Sequence, residues 1–207
     1  MKNYFTSVLL LLSTTLALSS CRESSKLPEP KNESIPLIIP EINPQKSFFP
    51  FDQSSPSVSA AAAAGITRPE FEFIVNPSQG YSEVQTVEVY KSFRRGLPGA
   101  TFTYGPRVKV MDLTSFPATV TINSQDALRG LFTSPTSTTP VLATTATGIN
   151  RIVRPLADGT PNDAIVFTFE YMMKDGRRII LTPVSDTNVL LPSSQINAPL
   201  AAVAAFK

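Results

Sequence analysis

The sequence predicts an all-β fold, a single antiparallel β-sandwich with one short helix. From residue 69 onward, apolar and polar residues alternate in short runs, as they do in strands that bury one face. Clusters of glycine, proline, asparagine and serine, which are typical of turns, separate these runs. Six or seven short strands, spaced by roughly 8–12 residues, indicate a sandwich of the immunoglobulin or fibronectin-III type.

The predicted strands share a period of two and are rich in β-branched and aromatic residues. Phe71, Phe73 and Val75, for example, lie on one face of their strand, and we expect this face to meet the core. In chain order the predicted strands are residues 71–75, 84–93, 100–104, 107–113, 118–122, 165–173 and 177–182.

The strongest strand signal is a hairpin. Apolar side chains alternate strictly over residues 165–173, and a Lys-Asp-Gly turn follows at 174–176. A two-residue loop pairs Tyr171 with Ile180, whereas a three-residue loop with its glycine in the left-handed conformation pairs Tyr171 with Ile179. The second register places apolar side chains opposite each other on one face, and we therefore predict it.

One short helix is predicted after residue 122. Asn123 or Ser124 can cap it, Asp126 lies in its first turn, and Leu128 belongs to its apolar side. Gly130 ends it.

Two segments have no regular pattern. Residues 134–147 are rich in serine, threonine and proline, and we interpret them as a surface loop, with O-glycosylation or ligand contact as the alternative. The tail, residues 184–207, contains Pro192 and Pro199. It can form a last edge strand or a short helix, and the sequence leaves both open.

The first 21 residues have the pattern of an export signal. Lys2 supplies a basic start, residues 8–18 are mostly apolar, and Ser19 and Ser20 precede Cys21, the only cysteine of the chain. The apolar stretch is shorter than the about 20 residues that a membrane-spanning helix needs.

Leu18-Ser19-Ser20-Cys21 resembles the bacterial lipobox. The resemblance implies cleavage between Ser20 and Cys21 and lipid attachment to Cys21, which anchors the mature protein to a membrane. An ordinary secretory signal with a chance cysteine is the alternative, but a single spare thiol is unusual in an exported protein. We therefore expect a lipoprotein signal peptide over residues 1–20.

Residues 21–68 are predicted to form a linker. From Arg22 to Pro69 there are eight prolines and a single glycine, which disfavour helices and central strands. An extended segment of this length reaches roughly 150 Å. We expect its apolar islands, residues 35–39 and 48–51, to fold back onto the domain, and docking to a partner is the alternative. The sandwich is then 69–183, followed by the tail, 184–207.

The composition disfavours most metal and nucleophile chemistry. The chain has no histidine, its single cysteine is assigned to lipid, and its formal net charge is only +2. We therefore predict no enzyme, no catalytic residue, no metal, no cofactor and no nucleic-acid partner. Asp158 and Asp163 lie in a loop that superficially suits calcium, but the spacing of a calcium loop is missing, and we interpret it as a solvated turn.

Arginines and tyrosines are the remaining candidates for binding. The arginines are separated along the chain, and we interpret them as solvated strand ends: Arg94, Arg95, Arg151, Arg154, Arg177 and Arg178. Sugar sites stack on aromatic faces, and without tryptophan only tyrosines remain: Tyr81, Tyr90, Tyr104 and Tyr171. We expect Tyr171 in the core, Tyr90 exposed and Tyr104 at a strand end.

The strings VEVYKSF, GPRVKV, SFPATVTINSQDAL and FTFEYMMKDGRRIILTP, within residues 70–183, resemble a group of Bacteroidota lipoproteins with immunoglobulin-like domains. Some of these accompany outer-membrane uptake systems of the starch-utilisation type. The resemblance implies an outer-membrane location and an accessory, non-catalytic role beside a transporter or another envelope protein. The alternative is a structural envelope lipoprotein with purely protein–protein contacts. A polysaccharide ligand, and the surface or periplasmic side of the membrane, stay open.

Overall fold

The computed structural model describes residues 36–78, 83–96, 102–154, 163–182, 184–191 and 200–207. They belong to one compact unit, Ser34–Lys207. Within these ranges the strands form one three-stranded and one seven-stranded sheet, and neither sheet closes on itself. Ser20, Cys21 and the predicted signal peptide lie outside the described residues.

Most of the described secondary structure is β, as predicted. In chain order the strands are β1 (Glu41–Ile42), β2 (Phe48–Phe49), β3 (Glu70–Val75), β4 (Val84–Arg95), β5 (Thr103–Tyr104), β6 (Val108–Leu113), β7 (Ala118–Asn123), β8 (Ala164–Met173), β9 (Arg178–Ile180) and β10 (Ala202–Phe206). The short helices of the described ranges are α1 (Phe51–Ser54), α2 (Val58–Ala63) and α3 (Ser124–Leu128).

The small sheet has the antiparallel order β1-β3-β7. In the large sheet the order is β2-β10-β8-β4-β5, with β6 paired to β4 and β9 paired to β8. Strand β8 pairs with β4 along one side. Along the other side of β8, the short strands β9 and β10 follow one another. They therefore behave as two pieces of one interrupted strand.

The two sheets pack face to face through phenylalanines that are fully buried. The rings of Phe71 and Phe73 in β3 lie 5.2–6.0 Å from those of Phe167 and Phe169 in β8. These separations suit attractive aromatic contacts. Strand alternation explains the layer, since residues two apart share a face.

The structure differs from the predicted linker over residues 36–68. Ile38 and Phe49 are fully buried in the core, so the apolar islands fold back onto the domain as expected. The prolines stand where no backbone donor is needed: Pro44 begins a 3-10 turn and Pro50 precedes α1. Proline spacing alone therefore misplaced the start of the domain.

The tail also belongs to the domain. β10 lies between β2 and β8, parallel to the first and antiparallel to the second, and is not an edge. Ala202, Ala204 and Phe206 are fully buried on one face.

The local predictions on the helix after residue 122 and on the hairpin are confirmed, but the prediction of a single helix is wrong, because α1 and α2 form within the segment assigned to the linker. The Asn123 side chain caps α3 by accepting from the Asp126 amide at 2.9 Å. Tyr171 pairs with Ile179, and Gly176 has a φ of 86°, as the three-residue loop requires. The loop 134–147 lies mostly at the surface, but Val141 and Leu142 anchor it in the core.

Candidate functional site

A cleft of about 450 Å³ lies at the end of the domain where β3 begins. The segment around β2 forms one wall, and the segment that leads into β3 forms the other. We call it the β2–β3 cleft, and it is lined by Gln45, Lys46, Phe48, Pro50, Thr67, Arg68, Pro69 and Glu70.

Phe48 gives the cleft an accessible aromatic ring. The alternation of β2 directs Phe49 into the core and leaves Phe48 37% exposed. The Nζ of Lys207 lies 5.2 Å from the centre of the Phe48 ring. Together with Pro50 and Pro69, this ring forms an apolar wall against which a flat or extended ligand can pack.

The charged side of the cleft is an ion-pair cluster. Lys46 Nζ lies 2.9 Å from carboxylate oxygens of both Glu70 and Glu72, and hydrogen bonding to Glu72 and Glu70 raises the pKa of Lys46. Hydrogen bonds from Asn43, Lys46 and Thr121 hold the pKa of Glu72 at about 2. Lys46 and Glu72 therefore keep fixed charges near neutral pH.

Arg68 lines the cleft and contacts the neighbouring segment 53–57. Its guanidinium donates to the carbonyl oxygens of Gln53, Pro56 and Ser57, each at 2.9 Å. Burial lowers the pKa of Arg68. The side chain thus fixes the 53–57 segment, which the sequence had assigned to a linker.

The described residues contain no cluster of three or more acidic, cysteine or histidine side chains suited to a metal ion. Among the same residues, no helix has the length and apolarity to cross a membrane. The cleft itself offers an aromatic face, an amide, a hydroxyl and an ion pair.

A second polar feature lies on the face of the large sheet that points away from the core. We call it the outer-face network, and it consists of Glu88, Tyr90, Arg107, Lys109, Glu170 and Arg178. Arg107 pairs with Glu170 and lies 4.5 Å above the Tyr90 ring. Lys109 Nζ approaches Glu88 at 2.6 Å, and Arg178 contacts both Glu88 and Glu170.

Two segments, 102–107 and 184–191, cover part of this face. Tyr104 and Leu190 of these segments form a small buried apolar cluster with Val166 of β8. Arg107 Nε donates to Asn188 Oδ1 at 3.0 Å, and Asn188 Nδ2 donates to the Arg107 carbonyl at 3.1 Å. The outer-face network therefore holds the covering segments to the sheet.

A tyrosine-based sugar site, which the sequence left open, is not assembled among the described residues. Tyr171 is fully buried in the core, as expected. Tyr90 is half-buried beneath Arg107, and Tyr104 is buried in the small cluster, so neither offers an open ring. Tyr81 lies outside the described residues.

Asp163 has a structural role that differs from the predicted solvated turn. Its carboxylate is buried and accepts from Arg95 Nη2 at 3.1 Å, from the Gly96 amide at 3.3 Å and from the Val153 amide at 2.9 Å. These contacts occupy the oxygens that a calcium ion would need. Asp158 lies outside the described residues.

The interpretation of these arginines as solvated strand ends is wrong for Arg95, which is half-buried and pairs with the buried Asp163. Arg178 is exposed at the start of β9, as expected, and also belongs to the outer-face network. Arg151 and Arg154 are exposed, and Arg154 contacts Asp52 at 2.5 Å. Arg94 lies 4.3 Å above the Phe102 ring, and Arg177 contacts Asp175 at 2.6 Å.

The sequence contained part of the signal for the outer-face network. Strict alternation in β8 places Thr168 and Glu170 on the face of the strand that points away from Phe167 and Phe169. It does not show that residues 184–191 return to cover that face, because this contact is long-range.

Comparisons of the chain with protein-family models, with curated proteins and with solved structures found no match. The residues of this chain and their geometry therefore carry the functional proposal.

Proposed function

We propose that the chain is a lipid-anchored, non-catalytic lipoprotein of the cell envelope, whose β domain is an accessory binding module of the outer membrane. The observation that carries the proposal is Leu18-Ser19-Ser20-Cys21 behind an export-signal pattern, in a chain with no other cysteine. The bacterial lipobox resemblance supports attachment through Cys21, and the resemblance to Bacteroidota lipoproteins with immunoglobulin-like domains supports a recognition role for the domain.

Ile38 is buried in the domain, so the tether of this proposal is shorter than the predicted linker of residues 21–68. Fifteen residue steps separate Cys21 from Pro36, where the described domain begins. A chain of that length spans at most about 50 Å. The domain is therefore held much closer to the membrane than a 48-residue linker would hold it.

The immunoglobulin-like type belongs to the same proposal. Its support is the division of strands, with β1, β3 and β7 in one sheet and β4, β8 and β10 in the other. This division matches strands A, B and E against C, F and G of the immunoglobulin fold.

The position of the β2–β3 cleft supports a binding role. Ile38 bridges to Pro77, beyond the end of β3, whereas the cleft adjoins Glu70 at its start. Six residues of strand separate these ends by about 20 Å. The cleft thus lies at the opposite end of β3 from Ile38, where the described chain begins, and a partner or a polymer can approach it there.

The anchoring claim is tested by metabolic labelling with a fatty acid and by salt-washed membrane fractionation. The parent chain is expected to carry label and to stay with the membranes, and Cys21→Ser to lose both. Ser24→Ala, a small change three residues further on, is the matched control and should behave as the parent does. A parent chain without lipid contradicts the proposal.

The binding role is tested with a glycan array and with protein partners cross-linked on intact cells, using the full chain. Phe48→Ala should reduce binding at least tenfold, whereas Ile180→Ala, which removes an even more exposed side chain elsewhere, should not. Equal binding by both variants would remove the cleft from the proposal. Absence of any glycan signal would remove the polysaccharide version and leave protein partners.

One observation favours the alternative of a structural envelope lipoprotein. Ile149 is 72% exposed and Val153 52% exposed, both on one loop that does not line the cleft. Exposed aliphatic side chains are suited to protein–protein contacts. Cross-links from this loop alone, with an empty cleft, would favour the structural role.

A further inference from the structure

We propose that the free edge of β7 pairs antiparallel with β7 of a second copy of this chain, so that the small sheet continues across a two-fold axis. The inference concerns the domain alone and does not depend on lipid anchoring or on the β2–β3 cleft.

β7 is the last strand of the small sheet. It pairs with β3 over its whole length, from Ala118 opposite Val75 to Asn123 opposite Glu70. Along its other edge, no hydrogen bond or strand pairing from the described residues reaches its backbone. Every second N–H and C=O of this edge is therefore available to another strand.

β7 also lacks the features that protect edges. Its sequence, Ala-Thr-Val-Thr-Ile-Asn, contains no charge and no proline. The other described edges are short or charged: β1, β2 and β5 have two residues each, and β9 has three, including Arg178. β6 carries Lys109 and Asp112, and its register with β4 shifts. Among the described edges, β7 alone is both long and unprotected.

The side chains of β7 suit a second copy of the same strand. An antiparallel register centred on Val120 places Thr119 opposite Thr121 of the other copy, and Ala118 opposite Ile122. Thr119 and Thr121 are exposed on the outer face, whereas Val120 is 1% and Ile122 8% exposed on the core side. Threonine thus meets threonine outside, and apolar side chains meet inside.

The symmetry of this register is the reason to name a second copy as the occupant. A two-fold contact must be self-complementary, and a centre at Val120 satisfies this on both faces. Because β7 has no charge, the pairing brings no like charges directly opposite each other. A contact of five residues from each copy, 118–122, is small, so we expect weak, reversible association.

The register is tested by disulfide cross-linking in mild detergent. Two full-length chains with different tags carry Thr119→Cys and Thr121→Cys. A mixture should form the cross-link between positions 119 and 121, since directly opposite Cα atoms lie about 5 Å apart. Each variant alone should cross-link far less, because identical positions lie diagonally. The parent chain, whose only cysteine is Cys21, is the control for disulfides that form through Cys21.

The association itself is tested by sedimentation of the full chain in density-matched detergent. Thr119→Lys places a charge on the edge and should weaken dimerisation at least tenfold. Thr103→Lys makes the same change at an exposed threonine of β5 and should leave it unaltered. A parent chain that is monomeric at about 100 µM, or equal dimerisation of Thr119→Lys and the parent, overturns the proposal. Circular dichroism confirms that both lysine variants are folded.

Discussion

The guanidinium of Arg107 donates to the carboxylate of Glu170 on the face of β8 that points away from the phenylalanine core. The Arg107 side chain is 5% exposed and the Glu170 side chain is not exposed at all. Asn188 fixes Arg107 from the covering segment. A charge this deeply buried is tolerated only with its partner in place.

Removal of either Arg107 or Glu170 alone should therefore lower the free energy of unfolding much more than removal of both. Arg107→Met leaves the Glu170 charge buried with Arg178 as its remaining described ion-pair partner, and we expect a loss of about 3–5 kcal/mol in the free energy of unfolding. The double variant Arg107→Met/Glu170→Met should recover most of this loss. Urea titration gives both values, and Arg129→Met, which breaks the exposed pair with Asp126, should cost less than about 1 kcal/mol.

Lys91 should make stability depend on alkaline pH. It lies on the core face of β4, opposite Phe167, is 5% exposed and donates to the Asp126 carbonyl. Burial lowers its pKa to about 8, while Asp126 raises it and Arg129 lowers it. Between about 8 and 10.5, the unfolded chain binds a proton that the folded chain does not.

The free energy of unfolding should hence fall by about 3 kcal/mol through the titration of Lys91 as the pH is lowered from about 10.5 to 8. Below about pH 8, Lys91 is protonated in both states and contributes no further change. Because tyrosines and other lysines titrate in the same pH range as Lys91, the comparison is between variants. Lys91→Met should lose this part of the pH dependence in urea titrations at pH 7 and 10.5. Lys174→Met, at an exposed site, should keep the pH dependence of the parent chain. If the free energy of unfolding changed with pH equally in the parent chain and in Lys91→Met, Lys91 would not be the titrating group.

Asn150 should be essential for the segment that the sequence assigned to a linker. It is 1% exposed, its Nδ2 donates to the carbonyls of Ser54 and Pro56, and its Oδ1 accepts from the Ala143 amide. Asn150→Ala leaves the Ala143 amide without its partner and removes a donor from the carbonyls of Ser54 and Pro56, and we expect a loss of about 3 kcal/mol. Faster proteolysis near residues 54–56 should accompany it.

The matched variant is Asn76→Ala, at an exposed asparagine, with an expected effect within about 0.5 kcal/mol. If both asparagine variants unfold alike, residues 54–56 do not contribute to the stability of the domain.

Phe206 should contribute as much stability as any core residue. It is fully buried, and its ring lies 5.5 Å from that of Phe49. Phe206→Ala should lower the free energy of unfolding by about 3–5 kcal/mol, because the cavity it leaves is lined by rigid strands. Lys207→Ala, at the exposed neighbouring position, should change it little. Thermal unfolding monitored by near-ultraviolet circular dichroism distinguishes the two.

Local chemistry explains why much of the fold was predictable. The alternation in residues 165–173, the glycine at position 176 and the cap at Asn123 each act over a few residues, and each produced the expected element. Phe71 and Phe73 faced the core for the same reason.

Long-range contacts explain what the sequence did not reveal. Phe49 enters the core by pairing next to Phe206, and Asn188 reaches Arg107 from a distant segment. No local pattern reports such partners. The exposed aromatic of the β2–β3 cleft, Phe48, was visible as part of an apolar island, but its neighbour Glu70 comes from another part of the chain.

The pairing of β2 with β10 has a consequence for the order of events in the cell. Phe48 pairs with Ala205, at the other end of the described chain, and β2 joins the large sheet only through β10. A ribosome adds roughly 5–20 residues per second, so the early strand waits many seconds for its partner. Contacts of such separation also form slowly. The large sheet therefore cannot be complete until almost the whole described chain has been synthesised.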